Sequence, residues 1–516
     1  MIELLTIAAV LPPLLAAAFI GAGVVSGQNR GEAGEPQTAL AAVGAAGLCL
    51  AAMLLLDTIA LASGSPGQID LGTWLSSGAI EVRLSFRLDA LGLSAGTLVA
   101  LICLITLRFS VNYMHREPGF QRFFLGLSLF TTAMLLIVTA GNAVLTFVGW
   151  ELAGVCSFLL IAYAYDRKQA AINAGRAFIT NRIGDAGFIV ALFFLLSWLG
   201  TTEWPIVAER APRLSSLDAG LILIGFLAAA FAKSAQVPFS GWIARALEGP
   251  TPSSAVFYGS LMVHAGIYLL IRLEPLFRQA PSLMPLVALV GLITALYGWL
   301  SGLAQTDVKS SLMFSTTAQV GLMTLACGLG WFDLAAWHLA LNAVWRAYQF
   351  LHAPALLHLI RGPSRPVPGW LASRGRLYNA AMQRFWLDPF SDWLLVQPTK
   401  QIARDIQAFD DQVVNPLIGL PDQTNAVSSL TDWKSRNSTD HGSQTLSQGS
   451  GLLGYPMELL ASILHWFEEH LVLRGGGEGL MAALHHLGGY VQRAEDLLSR
   501  PRYLLTLILI TFVIIL

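Results

Sequence analysis

Four ionisable side chains stand inside apolar runs of this chain. They are Glu151 in "FVGWELAGVCSF", Asp185 in "RIGDAGFIV", Lys233 in "FAKSAQVP" and Lys309 in "AQTDVKSSLMF". At mid-bilayer each would cost about 2.5–3.5 kcal/mol, and such groups normally face a bundle interior, pair with one another and serve a pathway. Unpaired, the four would together cost roughly 10 kcal/mol, comparable with the whole stability of a domain. They are therefore expected to see one another or water. The chemistry available to a carboxylate and an amine in that setting is proton exchange. Desolvation loosens an ammonium's proton and a carboxylate brought close tightens it again, which makes Glu151 and Lys233 the first pair to consider. Static roles compete with this reading. Lys233 could snorkel or close a fixed salt bridge, Asp185 follows Arg182 by three residues as in a helix-end ion pair, and Lys309 follows Asp307 in a possible loop. His264, His338, His352 and His358 also lie in apolar stretches. Histidine is the natural shuttle near neutral pH, although each could equally be a packing residue.

The stretch that must position Lys233 is "FLAAAFAKSAQVPFSGWIARALEGPTPSSAVFY" (226–258). It begins as a membrane helix and then meets Pro238, Gly241, Pro250 and Pro252. Proline lacks an N–H and displaces the carbonyl four residues earlier, so the helix must kink or stop. The run 219–272 is too long for one crossing and reads as two half-helices joined by an irregular polar stretch. Irregular backbone is tolerated at membrane depth only inside protein or beside a watery cavity, and transporters place ion sites at such breaks.

The rest of the composition agrees. Of 516 residues, 55% are hydrophobic and 12% charged, with a mean hydropathy of +0.60. Soluble domains carry about 25% charged residues. Apolar runs near the roughly 20 residues that a bilayer requires recur along the chain. The reading is an all-α polytopic membrane protein of about eleven spans, the seventh being the interrupted one and the last being "YLLTLILITFVIIL" at 503–516. A net charge of −1 gives no reason to expect nucleic acid. Cys49, Cys103, Cys156 and Cys327 are scattered singly, without metal-ligand spacing or a disulfide framework. The N-terminus lacks a basic region and cleavage site, so the first segment is expected to be retained.

Organisation follows in blocks. Residues 1–360 read as the helical body and 361–427 as a connector with a possible weak crossing near 385–398. Residues 428–454 read as a low-complexity linker, 455–502 as amphipathic surface helices and 503–516 as an anchor. Arg30, Arg108, Arg116, Arg122, Arg167, Lys168, Arg176 and Arg182 are assigned to loops after odd-numbered spans, against Arg83, Arg87, Arg210, Arg213 and Lys309 after even ones. By the positive-inside tendency the N-terminus faces outward.

Four segments carry a family resemblance: "GWELAGVCSFLLI", "FAKSAQVPFSGWIARALEGPTPSSA", "GLAQTDVKSSLMFSTTAQVGLM" and "WHLALNAVWRAYQFLHAPALLH". Together they resemble the antiporter-like subunits of respiratory complex I, of the NuoL type, and of Mrp cation/proton antiporters. "RFWLDPFSDWLLVQPTKQIARDI" and the final span are similar to the end of the NuoL-type subunit, where a long lateral helix and an anchoring helix follow. The resemblance implies that Glu151 and Lys233 are the glutamate and lysine of a proton half-channel, with Asp185 and Lys309 at matching acidic and basic positions and His338 retained. It also marks departures. Tyr258 stands where the family often has a histidine. Asn342, Ala343 and Arg346 replace a His-Ala-x-x-Lys pattern, and Arg346 can hold charge or orient water but not relay a proton. The second repeat is expected to be truncated after two spans, without its broken helix.

A shortened subunit of this kind resembles the DabB-type membrane subunit of DAB inorganic-carbon transporters. That resemblance implies a multi-pass inner-membrane protein in which proton or sodium flow drives CO2 hydration to bicarbonate. The hydration would occur in a DabA-like, zinc carbonic-anhydrase-related soluble partner, with no cofactor in this chain. The rival expectations are a proton- or cation-translocating subunit of a complex I, Mrp or membrane hydrogenase assembly, and a non-conducting anchor for a soluble enzyme.

Overall fold

The computed structural model describes residues 1–78, 80–353 and 367–410. The chain divides into two compact units, Met1–Pro398 and Thr399–Leu516. Of the second, Thr399–Phe409 is helical. The surface helix expected at 455–474, the anchor at 503–516 and His358 lie outside the described residues.

The first unit is a helical bundle. Its elements are α1 (Ile2–Val10), α2 (Pro12–Val25), α3 (Glu35–Ser63), α4 (Ala90–Tyr113), α5 (Phe120–Thr139), α6 (Ala143–Ile161), α7 (Lys168–Phe194) and α8 (Trp204–Arg210). They continue with α9 (Ser216–Lys233), α10 (Thr251–Ser254), α11 (Ala265–Arg272), α12 (Glu274–Phe277), α13 (Met284–Leu303), α14 (Val308–Gly328) and α15 (Phe332–His352). Short polar side chains start several of them. Asp89, Asn142, Ser215 and Asp307 accept from the backbone N–H groups of Gly92, Leu145, Asp218 and Ser310, which would otherwise be orphaned. Pro12 bends α2 by 43° from α1. Among the described residues eight helical stretches are long and apolar enough to cross a membrane, or nine with the bent α1–α2 pair. The protein is a multi-pass, mostly helical membrane protein. The two 21-residue helices α14 and α15 fall outside that set.

Three expectations are corrected. The fold is not wholly helical, because β1 (Gly67–Ser77) and β2 (Ile80–Leu88) form an antiparallel hairpin. Val82, Leu84, Phe86 and Leu88 turn inward at the two-residue period of a strand while Glu81 and Arg83 face out. Next, Arg176 and Arg182 lie within α7 rather than in a loop. Finally, 219–272 is interrupted as expected, but its two helical parts are each long enough to cross a membrane, so it counts as two spans rather than one. α9 ends at Lys233, a 3₁₀ stretch runs Phe239–Glu248, and Thr251–Arg272 is by itself of membrane-crossing length and wholly buried in the bundle.

The helix pair that carries the central charges packs through glycine. A Cβ on Gly187 of α7 would lie 2.7 Å from the carbonyl oxygen of Gly225 on α9, so these backbones meet only because no side chain intervenes.

Candidate functional site

At the break after α9 several freed backbone groups find partners. Ala235 adopts φ +49° and the Val237–Pro238 peptide is cis. The Gln236 N–H donates to the Phe231 carbonyl at 2.8 Å, and the Val237 N–H donates to Thr294 Oγ1 on α13 at 3.0 Å. The Trp242 indole N–H donates to the Ala232 carbonyl at 3.0 Å. The Pro238 carbonyl accepts from Ser391 Oγ at 2.7 Å. These bonds reduce the number of unsatisfied backbone groups at the break, each worth several kcal/mol, while Ser234 Oγ, Gln236 Oε1 and Ser240 Oγ are buried there without a partner.

The residues 384–396 that supply Ser391 sit across the break. Arg245 Nε lies 3.2 Å and Arg384 Nη1 3.1 Å from Asp388 Oδ2, and Asp392 pairs with Arg176. Gly241 admits this strap, since a Cβ there would lie 3.0 Å from Ser391.

Inside the bundle, α6, α7 and α9 bring two carboxylates and two cations together. Glu151 pairs with Arg182, not with Lys233. Arg182 Nη2 also lies 2.9 Å from Asp185 Oδ2 within α7, and the Trp150 indole donates to Asp185 Oδ1 at 2.7 Å. Arg182 and Asp185 are therefore a mid-helix pair rather than a helix-end one. Lys233 is fully buried at the last turn of α9. Its Nζ donates to the Trp150 carbonyl at 3.1 Å and lies 5.1 Å from the Trp150 ring centroid. Gly154 lets both cations converge, because a Cβ there would stand 2.7 Å from Arg182 Nη2 and 3.5 Å from Lys233 Nζ. The four charges sum to zero, which is what permits them inside a low-dielectric bundle. A proton moving between a carboxylate and Lys233 would meet Arg182 and Trp150. Sequence reasoning gave Arg182 its i, i+3 pair with Asp185 but missed its pairing with Glu151 and the part of Trp150.

The other expected residues form separate contacts. Lys309 lies in the first turn of α14 and donates to Thr251 Oγ1 at 2.5 Å, where Tyr113 also bonds at 2.8 Å. This fastens α14 and α4 to the segment entered through Pro250 and Pro252. A second polar group joins His264, in the turn before α11, to α14 and α15. His264 Nε2 is 3.0 Å from Asn342 Nδ2, while its Nδ1 is buried without a partner. His338 Nε2 is 2.7 Å from Gln319 Oε1. Arg346 donates to Ser315 Oγ at 2.5 Å and Gln349 Oε1 at 2.7 Å. Tyr258 is buried with an unpartnered hydroxyl, and His352 stacks on Tyr348. Asp57, an ionisable residue of α3 that sequence reasoning passed over, accepts from Thr97 at 2.6 Å.

At the opposite end of the bundle, Glu203 accepts from Gln68 at 2.5 Å and Ser85 at 2.7 Å, tying the hairpin to the turn before α8. Burial pushes its carboxyl above the usual range, and the hydrogen bonds from Ser85, Gln68 and Asn142 only partly offset this. Asp89 shows the reverse balance. Burial pushes it up, but the hydrogen bond and charge of Arg272, the Gly92 N–H and Arg87 outweigh burial and hold it below the usual range.

With this geometry in view, similarity to known proteins is specific. Residues 140–365 match the NADH:quinone oxidoreductase/Mrp antiporter transmembrane family, and residues 74–124 match the N-terminus of complex I chain 5. The chain belongs to this antiporter-like family. It is 39% identical over 322 residues to NADH-quinone oxidoreductase subunit L of Mycobacterium tuberculosis, covering 62% of this chain and 50% of that one. The chain thus spans about half the length of the curated relatives it matches. The Mrp complex of Dietzia sp. DQ12-45-1b superposes with a TM-score of 0.59 at 25% identity, over 68% of this chain and 37% of that one. An archaeal membrane-bound sulfane sulfur reductase shares the fold, with a TM-score of 0.58 at 20% identity over 67% and 70% of the two chains.

Proposed function

We propose that this antiporter-like chain translocates protons or cations as one subunit of a larger membrane assembly. Glu151, Arg182, Asp185 and Lys233 form the charged centre of a single half-channel, and Lys309, His264 and His338 supply further polar steps. The observation that carries this reading is the charge-balanced cluster placed beside a broken helix. A structural salt bridge alone would not require the fully buried Lys233 at the break. The kinship with complex I and Mrp subunits supports the same reading. The test is potential-driven proton or sodium flux in proteoliposomes holding the full chain with its native partners. Glu151→Gln and Lys233→Ala should abolish flux while the assembly still co-purifies. Retained flux in both would overturn the channel and favour the non-conducting anchor.

The finer reading is that this flux drives CO2 hydration to bicarbonate by a DabA-like, zinc carbonic-anhydrase-related soluble partner. It is supported by Arg346, a permanent cation at a position where the resemblance implies a relay lysine, which fits a single half-channel. Among the described residues no group of three His, Cys, Asp or Glu gathers to hold a metal. Gentle solubilisation followed by identification of co-purifying chains and their metal tests this. A large zinc-bearing soluble partner supports it, and quinone-oxidoreductase or antiporter subunits overturn it in favour of a complex I or Mrp-type assembly.

A further inference from the structure

A cleft of about 570 Å³ opens where α2 ends and α5 begins. Its apolar wall is made by Val24, Val25 and Leu125, and Arg30 and Arg122 stand at its polar edge. The two arginines differ from their neighbours at this end of the bundle. Arg116 pairs with Glu32 and Arg167 with Glu248, whereas among the described residues neither Arg30 nor Arg122 pairs with a carboxylate. Both are nevertheless held in place. Arg30 Nε donates to the Val24 carbonyl at 2.8 Å. Arg122 Nη2 donates to the Tyr163 carbonyl at 2.7 Å, and its guanidinium lies 4.9 Å and 4.8 Å from the ring centroids of Tyr163 and Tyr165. Each guanidinium keeps further N–H donors for a ligand, because it carries five in all.

We propose that this cleft binds the phosphate headgroup of an anionic phospholipid from the bordering leaflet. Two oriented, uncompensated guanidinium groups are the chemistry that recognises a phosphate oxygen pair. The apolar wall continues into the ends of two membrane helices, so the same molecule must carry hydrocarbon. Basic pockets between membrane helices on the positively charged side take such headgroups. A free phosphate would share the polar contacts but would leave Val24, Val25 and Leu125 uncovered.

The test uses the purified full chain, stripped of lipid in detergent, with binding of phosphatidylglycerol, phosphatidylcholine and inorganic phosphate measured by native mass spectrometry. Phosphatidylglycerol should bind saturably and resist displacement by millimolar inorganic phosphate. The combined Arg30→Gln and Arg122→Gln variant should bind it about 30-fold more weakly, the loss expected for two interfacial charges. Arg116→Gln, whose arginine is paired to Glu32, should bind as the unaltered chain does. Gel filtration and thermal unfolding of the lipid-free variants establish that they are folded. Equal binding of phosphatidylcholine, undiminished binding in the double variant, or displacement by inorganic phosphate would each overturn the proposal, the last by assigning the cleft to a free anion.

Discussion

Replacing Arg182 with glutamine tests the architecture of the charged centre most directly. Arg182 faces Glu151 from one side and lies 2.9 Å from Asp185. At that separation and an effective dielectric near 20, one such pair is worth about 6 kcal/mol before desolvation is counted. Removing one partner of a buried pair costs roughly 3–5 kcal/mol, chiefly because the other charge is stranded. The Arg182 side chain is 28% exposed and Asp185 only 4%, so the low end of that range, about 3 kcal/mol, applies. Arg182→Gln should therefore lower the unfolding free energy of the detergent-solubilised full chain by about 3 kcal/mol. Adding Glu151→Gln removes one stranded charge and should return about 1–2 kcal/mol, a coupling that a double-mutant cycle reads directly. Flux should stay absent in the double variant although its stability recovers, because the carboxylate is gone. A loss below about 1 kcal/mol in Arg182→Gln, or strict additivity in the cycle, would refute the charge-balanced cluster.

The hairpin anchor makes a pH prediction. Because folding raises the Glu203 carboxyl, the fold favours its protonated form. That contribution is complete below the ordinary glutamate value and is lost as pH rises through the raised one. Glu203→Gln, which mimics the protonated group, should flatten the decline in thermal stability as pH rises above the ordinary glutamate value, and an unchanged pH profile would count against it. For the strap over the break, Asp388→Asn should cost about 2 kcal/mol, since its arginine partners are partly exposed, and Ser391→Ala about 1 kcal/mol. Hydrogen exchange of the amides in Phe239–Glu248 should accelerate in both, and unchanged exchange would show that the strap does not hold the break.

The membrane class, most of the helices, the break at Pro238 and the expensive residues Glu151, Asp185 and Lys233 were legible from residue types alone. Hydrocarbon penalises a charge wherever it falls in an apolar run, and proline interrupts a helix through its own ring, so both signals are local. The hairpin was legible in principle, through the alternation of Val82, Leu84, Phe86 and Leu88 beside the turn glycine Gly78, but the surrounding apolar content masked the short period. Who pairs with whom was not local. Glu151 touches Arg182 instead of Lys233 because Gly187 and Gly225 let α7 and α9 close to backbone contact and Gly154 leaves room for the guanidinium. Asp388 reaches Arg245 across 143 residues of chain, and no periodicity encodes that meeting. The types and the cost of these side chains were therefore set by sequence, while their partners were decided by helix packing, because an ion pair depends on a few ångströms that only the assembled bundle defines.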